Sequence, residues 1–473
     1  MYLGIDIGTS SIKAVVISDE NEILAVADSP LKVSHPDKNF SEQNPTDWLK
    51  ALRKTISVIH SKLNLHQIKR IGLTGQMHGA TCLDKNSKLI RPCILWNDGR
   101  AIKESNDLNS LGDRFTKLSG NIAMPGFTAP KILWMKNNEP DNFSRIDKVL
   151  LPKDYLRYVL TSEFATDSSD ASGTLWLNPE TRKWDNELIK ITGINESWLP
   201  EVFEGPDETG MVSSSASKEF GLPRVPVVAG GGDNACASLA LGIYKPRESF
   251  ISLGTSGVLF YVSEEHHSNP DKTVHAFTHA LPNTWHQMTV TLSAAESLSW
   301  LSRVLSVKID DLLKNLLSSK KRNTEVIFLP YLDGERSPHN DPNARGLFLN
   351  LSSSTVQEDL TLAVLEGVAY SFNDGKDALQ ESGASFKEIL SIGGGSKSEM
   401  WLQIISDSLN SVIQKSDSSL IGPSLGAARL AMPFSESNFI SEPVNKVFEP
   451  EQEQHSYHAD KLSKFREAYK NNF

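Results

Sequence analysis

The residues best suited to chemistry lie in the run 227–238, where apolar residues are followed by three glycines and a carboxylate. Glycine has no Cβ atom, so this backbone can turn sharply and approach a ligand closely. Asp233 follows the glycines and could then reach that ligand as a base. Two other interpretations fit the same residues. Gly230, Gly232 and Ala235 match the dinucleotide-binding pattern G-x-G-x-x-G/A, and a helix N-cap would need no chemical role.

A second set of polar residues occurs twice, at the tips of two predicted β-hairpins over 2–18 and 250–262. The tips are Gly8-Thr9-Ser10 and Gly254-Thr255-Ser256. Two such tips can present N–H groups and hydroxyls to one polyphosphate from opposite sides. Only the first hairpin carries a carboxylate, Asp6, and a nearby cation, Lys13, which suits a divalent metal beside phosphates. Either hairpin alone would be a surface turn, but the repeat favours a phosphate site.

Two further groups of side chains follow predicted strands, at the edge where ligands bind in open α/β sheets. They are Met77, His78 and Gly79 after the strand 68–74, and Trp96, Asp98 and Arg100 after the strand 93–95. An indole face beside directional hydrogen-bonding groups suits a polyhydroxylated ligand. Taken alone, His78 would be a structural histidine of a turn, and Asp98 and Arg100 would form a surface turn.

A second glycine-rich turn contains Gly394, Gly395 and Ser396, and it opens a predicted helix after the strand 389–392. Bare backbone at a helix start suits a nucleotide base or ribose. A glycine- and alanine-rich helix over 422–431 is expected to pack beside this turn, and a single helix is expected over 294–317. The acidic, serine-rich loop 166–173 is expected to be solvated, so no catalytic role is assigned to Asp167 or Asp170.

Length and charge narrow the class of protein. At 473 residues the chain exceeds the size of one core, so two domains with a cleft between them are expected. A net charge of −10 and the lack of clustered Lys and Arg argue against nucleic-acid binding. No apolar stretch approaches a membrane span, and the start resembles no export signal. Three cysteines without metal-ligand spacing fit reduced thiols, and we expect a cytoplasmic location.

Phosphoryl transfer from ATP explains these features together. That reaction requires neutralisation of phosphate charge, alignment of the two substrates, and a base for the attacking hydroxyl. Asp233 would be the base, and the three glycines before it would provide clearance for the sugar-like acceptor. No P-loop motif is present. The dinucleotide alternative weakens because the next strand ends at Leu253 without an acidic residue, and Glu248 lies before it.

Segments along essentially the whole chain carry a family resemblance. They are Asp6-Ile7-Gly8-Thr9-Ser10, Gly254-Thr255-Ser256-Gly257, Gly393-Gly394-Gly395, Phe127 to Trp134 and Gly346 to Leu351. These segments are similar to the phosphate, adenosine and signature motifs of the FGGY carbohydrate kinases. The resemblance implies an α/β fold with two duplicated actin-like (ribonuclease H-like) ATPase domains flanking a central cleft. We expect a sugar-binding and catalytic domain over 1–245 and a nucleotide-binding domain over 246–473.

The resemblance also implies roles for single residues, with ATP and Mg²⁺ as cofactors. Asp233 would take the proton of the sugar hydroxyl, while Met77, His78 and Asn234 would contact the sugar. Asp6 would serve the Mg-ATP side. The segments around these residues look most like those of family members that phosphorylate the 5-hydroxyl of D-xylulose. One departure occurs at 421–427, where Ser424 replaces the alanine expected from the family.

Alternatives remain within and outside this family. Family members acting on ribulose, glycerol or gluconate would share every nucleotide-side residue. An actin-like or chaperone-type ATPase would share the fold, but it gives no reason for Asp233, His78 and Trp96 to converge. A homodimer is compatible with the sequence, and closure of the cleft on the sugar is expected.

Overall fold

The computed structural model describes residues 1–416 and 422–473, which form two seven-stranded sheets, one in each half of the chain. In spatial order, the first sheet consists of Glu208–Met211, Pro226–Val228, Arg70–Gly75, Tyr2–Ile7, Ser11–Ile17 and Ile23–Pro30, with Gly231–Gly232 paired beside Arg70–Gly75. In the matching direction, the second consists of Lys446–Phe448, Val412–Lys415, Glu388–Ile392, Ser249–Leu253, Gly257–Ser263, Trp285–Thr291 and His275–Thr278.

The two sheets match strand for strand over six positions. In each, the first strand of a hairpin pairs in parallel with a later strand, which pairs in parallel with the next, and an antiparallel edge strand closes the order. Parallel neighbours need crossover connections, which are helical here. The predicted duplicated α/β architecture is therefore confirmed.

Short strand pairs and helices complete the described residues. The pairs join Glu42–Gln43 with Cys93–Ile94, Thr81–Leu83 with Lys148–Leu150, Ala165–Asp167 with Glu201–Phe203, Leu177–Asn178 with Lys183–Trp184, and Ile327–Leu329 with Leu347–Leu349. The α-helices are Pro45–His60, Ile102–Asn109, Asp113–Ser119, Thr128–Asn138, Pro140–Ser144, Pro152–Thr161, Ser168–Ser172, Asn186–Thr192, Ser214–Phe220, Asp233–Ala240, Ala295–Leu305, Ile309–Ser319, Gln357–Glu381, Glu399–Leu409, Pro423–Leu430 and Gln452–Asn472. Among these residues, no helix combines the length and apolar content needed to cross a bilayer.

The helix Pro45–His60 shows how local signals set such elements. The Asn44 side chain accepts a hydrogen bond from the Thr46 N–H at 3.0 Å, which caps the helix. Proline at the first position needs no N–H partner. Apolar residues at helical spacing, including Trp48 and Leu52, are buried on the sheet, so the prediction of this helix is confirmed.

One predicted helix is wrong in length. The segment expected to be continuous over 294–317 forms two helices, Ala295–Leu305 and Ile309–Ser319. Ser306 adopts a left-handed conformation, with φ of +55°, and the Val307 N–H donates to the Ser302 carbonyl at 3.1 Å. This Schellman-type ending satisfies the last carbonyls and stops the first helix.

The helix Pro423–Leu430 packs away from its predicted neighbour, the second glycine-rich turn. It lies between the first sheet and the helix Asp233–Ala240, since a Cβ atom at Gly72 would stand 1.9 Å from the Ala427 carbonyl oxygen. A Cβ atom at Gly426 would stand equally close to the Cys236 carbonyl oxygen. Because these glycines have no side chain, the helix Pro423–Leu430 can lie directly against the first sheet and the helix Asp233–Ala240. Ile421, in the segment that departs from the family pattern, lies outside the described residues.

Candidate active site

Asp233 is the first residue of the helix Asp233–Ala240, directly after the short strand Gly231–Gly232. Gly232, rather than Asp233, is the N-cap residue. The side chain of Asp233 is half-buried, and its Oδ1 atom accepts hydrogen bonds from the Asn234 N–H at 2.7 Å and the Asn234 Nδ2 at 3.0 Å. Burial raises the pKa of Asp233 to about 6, and the bonds from Asn234 oppose that rise. The carboxylate therefore ionises near neutral pH, as a general base should.

Asp6 lies on the strand Tyr2–Ile7 within the electrostatic field of Asp233. Its Oδ1 atom is buried and has no hydrogen-bond partner among the described residues. The pKa of Asp6 is raised to about 7, mainly by burial and also by the negative charge of Asp233, while Lys13 acts in the opposite direction. The structure thus brings the two predicted carboxylates together, from positions more than two hundred residues apart in the sequence.

The groups around Asp6 are suited to a Mg²⁺-bound phosphate. Lys13 is the strand partner of Asp6 and makes no salt bridge in the part of the chain that the structure describes. No group of three or more His, Cys, Asp or Glu residues in that part could hold a metal by itself. Mg²⁺ usually keeps several waters and takes one or two carboxylates with substrate phosphates. A single unpartnered carboxylate fits that arrangement.

The first hairpin tip is linked to the predicted sugar side. The Trp96 Nε1 donates to the Thr9 hydroxyl at 3.0 Å, and that hydroxyl donates to the Gln76 Oε1 at 3.2 Å. The Thr9 hydroxyl is thus bonded within the protein on both sides, and its contact with a phosphate stays a prediction. The Gly8 N–H donates to the Ser11 carbonyl at 3.0 Å, whereas Ser10 is exposed, so the Ser10 hydroxyl stays open to a ligand.

His78 stands at the end of the strand Arg70–Gly75 in a left-handed conformation, with φ of +67°. Its Nδ1 atom bonds the Gly173 carbonyl at 2.8 Å, so Nδ1 carries the proton. Burial lowers the pKa of His78 to about 3. The ring is neutral at pH 7, and Nε2 is an acceptor for a hydroxyl. The ring of Phe127 packs edge-on at 4.5 Å and holds the imidazole in place.

Lys131, in the signature-like segment, fixes the backbone of this turn. Its buried Nζ atom donates to the His78 carbonyl at 3.0 Å and the Ile94 carbonyl at 3.3 Å. Burial lowers the pKa of Lys131 to about 7. Met77 is buried beside Gly232, and Gly79 packs against Pro152. The strand ends that carry His78 and Trp96 are thereby tied together by one side chain.

Trp96 meets the expectation of an accessible indole, but Asp98 and Arg100 do not contact the cleft as predicted. Trp96 is 39% exposed, whereas Asp98 and Arg100 are 2% and 8% exposed. The Arg100 guanidinium bonds the two Asp98 oxygens at 2.8 Å and stacks on the Phe40 ring at 3.7 Å. Their polar groups are engaged inside the protein, so we correct their role to support of the Trp96 loop.

We expected the three glycines before Asp233 to provide clearance for a ligand, and this prediction is wrong. A Cβ atom at Gly230 would stand 1.8 Å from the Leu73 carbonyl oxygen, and φ there is +75°. At Gly232 it would stand 2.9 Å from the Met77 sulfur. The glycines admit neighbouring protein atoms, and this close packing brings Asp233 next to the strand Arg70–Gly75.

The predicted nucleotide segments of the second half also lie together. Gly393 has φ of +93° and packs against the backbone of Leu253, the residue before Gly254. Gly394 is exposed, with open space where a side chain would stand, whereas Gly395 is buried. The Ser396 hydroxyl donates to the Gly393 carbonyl at 2.6 Å, so it braces the turn.

The second hairpin tip is fastened through its backbone. The Gly254 and Thr255 carbonyls accept hydrogen bonds from the Ala295 and Ala294 N–H groups at 2.8 and 2.9 Å. The side chains of Thr255 and Ser256 are exposed. Their contact with phosphate oxygens stays a prediction, with which this exposure is compatible.

Sequence reasoning missed a buried ionic cluster beside the site. Asp167 and Asp170, which we expected to be solvated, are fully buried with Lys153. The Lys153 Nζ lies 2.5 Å from Asp154, 2.7 Å from Asp167 and 3.4 Å from Asp170. Burial raises the pKa of Asp170 well above its ordinary value, and the charge of Asp233 contributes. Only the excess of acidic over basic residues along positions 153–170 could have signalled the pairing.

Arg336 was also missed, because it lies in a polar loop of the second half. Its half-buried guanidinium makes no salt bridge in the described ranges. Burial is the main cause of the lowered pKa values of His78 and His275, and the charge of Arg336 lowers both further. The positive charge of Arg336 therefore acts on the imidazole that faces the sugar side.

Comparisons with known proteins cover both halves. The model of the FGGY family of carbohydrate kinases, N-terminal domain, matches residues 1–240, and that of its C-terminal domain matches residues 249–433. Xylulose kinase of Escherichia coli K12 is 42% identical over 91% of this chain and 89% of its own length. That of Staphylococcus xylosus is 36% identical over 91% and 90%. A crystal structure of a “xyloylose kinase” from Brucella ovis, 42% identical, superimposes with a TM-score of 0.96 over 99% of both chains.

Proposed function

We propose that this chain, which belongs to the FGGY family of carbohydrate kinases, phosphorylates D-xylulose on its 5-hydroxyl with ATP. Membership makes the chain an ATP-dependent phosphotransferase with an alcohol group as acceptor. The observation that carries the proposal is the pair of half-buried carboxylates, Asp233 and Asp6, held in one electrostatic field between the sugar side and the first hairpin. The choice of D-xylulose rests on the similar xylulose kinases.

In the proposed mechanism, the Asp233 carboxylate takes the proton of the 5-hydroxyl as its oxygen attacks the γ-phosphorus of ATP. The bond to the β,γ-bridging oxygen breaks, ADP leaves, and D-xylulose 5-phosphate forms. The Asn234 side chain orients the base, and the neutral His78 accepts a hydrogen bond from a sugar hydroxyl through Nε2. Trp96 offers an apolar face to the sugar carbons.

Phosphate charge would be met from both hairpins. Asp6 would hold Mg²⁺, directly or through water, and Lys13 would lie beside the phosphates. When bound, Mg²⁺ neutralises charge that develops on the phosphoryl group. The tip residues Thr255 and Ser256 would contact the phosphates from the opposite side, and the open backbone at Gly394 would lie against the adenosine.

The decisive experiment is a panel of pentuloses, polyols and sugar acids with ATP and Mg²⁺, scored by sugar-dependent release of ADP. D-Xylulose should give the highest kcat/KM. A clear preference for ribulose, glycerol or gluconate would support the proposed phosphoryl transfer but contradict the choice of D-xylulose as substrate. Release of ADP that no sugar stimulates would instead favour a non-metabolic actin-like ATPase.

Three further expectations belong to the proposal. The domain boundary is placed after residue 245, in the connection between the helix Asp233–Ala240 and the strand Ser249–Leu253, and limited proteolysis should cut there first. A homodimer would be seen by light scattering. A cytoplasmic location would be seen by fractionation of the source cells.

A further inference from the structure

We propose that a buried relay from Lys153 through Asp167 and Ser169 to the Gly232 N–H positions Asp233 for proton abstraction. The proposal rests on the proposed function, because it concerns the same base. None of these relay residues faces the sugar or the nucleotide side. They are positioning residues, which act through the N–H group of Gly232, the residue before Asp233.

The ionic end of the relay is anchored inside the protein. Lys153 comes early in the helix Pro152–Thr161 and is fully buried. Its ammonium lies 2.7 Å from the Oδ1 atom of Asp167, which leaves Oδ2 for other partners. A buried ion pair is favourable only when its remaining atoms are also engaged. The engagement of Asp167 Oδ2 is therefore the next link.

That second oxygen binds Ser169 twice. Asp167 Oδ2 accepts the Ser169 N–H at 2.7 Å and also the Ser169 hydroxyl. Because the hydroxyl proton is donated to a carboxylate, the Ser169 oxygen is left as an acceptor. It accepts the Gly232 N–H at 3.0 Å, across 63 positions of the sequence. The direction of every hydrogen bond in the relay is thus determined by the charge of Asp167.

The glycine run needs such support. Gly231–Gly232 form only a two-residue strand and have no side chains to hold them, and glycine has more backbone freedom than any other residue. From the same helix as Lys153, Arg157 donates to the carbonyls of Val228, at 2.8 Å, and Ala229. One helix therefore holds the carbonyls before the glycines and, through the relay, the N–H group of the last glycine.

The cluster is charged as well as rigid. The groups that face it are the cations Lys153 and Arg157 and the carboxyls of Asp154, Asp167 and Asp170, with Asp233 beyond them. The negative charge of Asp233 acts on Asp170, so the cluster and the base lie within each other's field. A shift of the relay would therefore change both the position and the surroundings of the base.

The test uses Ser169→Ala, which removes the acceptor of the Gly232 N–H without removing a charge. With the sugar that the substrate panel selects, kcat should fall about 10- to 100-fold, as a small misplacement of a reacting group does. The KM for ATP should stay unchanged. Ser406→Ala is the matched control, since Ser406 is equally buried and its hydroxyl also makes two hydrogen bonds, remote from the relay. This control should keep wild-type kcat.

A double-mutant cycle separates positioning from general loss of structure. Added to Asp233→Ala, Ser169→Ala should cost no further activity, because the relay acts only through Asp233. An unchanged kcat in Ser169→Ala, or an equal loss in both backgrounds, would overturn the relay. An active Asp233→Ala enzyme would instead overturn the proposed base. Lys153→Met tests the ion pair between Lys153 and Asp167. If Lys153→Met does not fold, the result for Ser169→Ala decides whether the relay exists.

Discussion

The two halves share a backbone plan but differ in the chemistry placed on it. The strand Arg70–Gly75 matches Glu388–Ile392 in sheet order, yet the first is followed by Met77 and His78 and the second by the glycine turn that begins at Gly393. One turn presents side chains and the other bare backbone. A duplicated fold thus makes two unlike subsites, because the strand ends carry different residues.

The hairpins and the helices after them repeat this contrast. Asp6 is matched by Ser252 in the aligned hairpins, so the carboxylate for a metal exists only in the first half. The helices Asp233–Ala240 and Pro423–Leu430 follow matched strands and pack against each other. Only the first begins with a carboxylate. If this contrast is right, changes in the two halves should have separable effects.

The largest effect is expected from Asp233→Ala. Loss of the base should lower kcat about 10²- to 10⁴-fold, while ATP still binds, because Asp233 belongs neither to the two hairpin tips nor to the glycine-rich turn that are assigned to ATP. The matched control is Asp374→Asn in the second half, where burial also raises the pKa to about 6. Steady-state kinetics and ATP titration check both variants. Comparable loss in the control would break the contrast between the halves.

The two buried lysines compare the halves in stability. Lys153 pairs with three carboxylates, and Lys461 in the second half pairs with Glu366 at 2.5 Å. Removing one partner of a buried pair costs about 3–5 kcal/mol, so Lys153→Met and Lys461→Met should both lower the free energy of unfolding. In chemical denaturation they should look alike. When kcat is measured on the folded fraction, only the kcat of Lys153→Met should fall. An equal loss in Lys461→Met would contradict the proposed difference between the two halves.

Asp6→Asn is expected to weaken the use of Mg-ATP, with about a 10- to 100-fold loss of apparent Mg²⁺ affinity. The matched change, Ser252→Ala, removes only a hydroxyl at the equivalent position and should leave the Mg²⁺ dependence unchanged. Titration of the rate with Mg²⁺ at saturating sugar checks the pair. Equal shifts in both variants would mean that the hairpins share the metal.

The smallest expected effect is the pH dependence of the wild-type enzyme. Burial raises the pKa of Asp233 to about 6, and the base must be ionised, so kcat/KM should fall about tenfold per unit as the pH drops below that value. Asp374→Asn should keep this acidic limb, although burial raises the pKa of Asp374 as much as that of Asp233. A limb near the unperturbed value of 3.8 would indicate an exposed base.

Much of this arrangement was determined by local sequence. The hairpins around Thr9 and Thr255 and the helix that starts at Asp233 depend on glycine, proline and small polar residues within a few positions of each other. Their recurrence along the chain indicated a duplicated fold and a phosphate between its halves. The two hairpins and the helix Pro45–His60 agree with the structure, whereas the single helix expected over 294–317 and the clearance expected at the three glycines do not.

Burial and partnering were decided by the tertiary structure alone. Nothing within the segment 166–173 indicates that Asp167 is buried, because its ionic partner Lys153 and the distant Gly232, which binds Ser169, meet this segment only after folding. The same is true of Arg100, which is engaged by Glu42 from another strand. A charged side chain is solvated or buried according to contacts that are remote in sequence. The sequence therefore proposed the candidate residues, whereas the groups that hold them, and the burial of Asp98 and Arg100, were decided only by the tertiary structure.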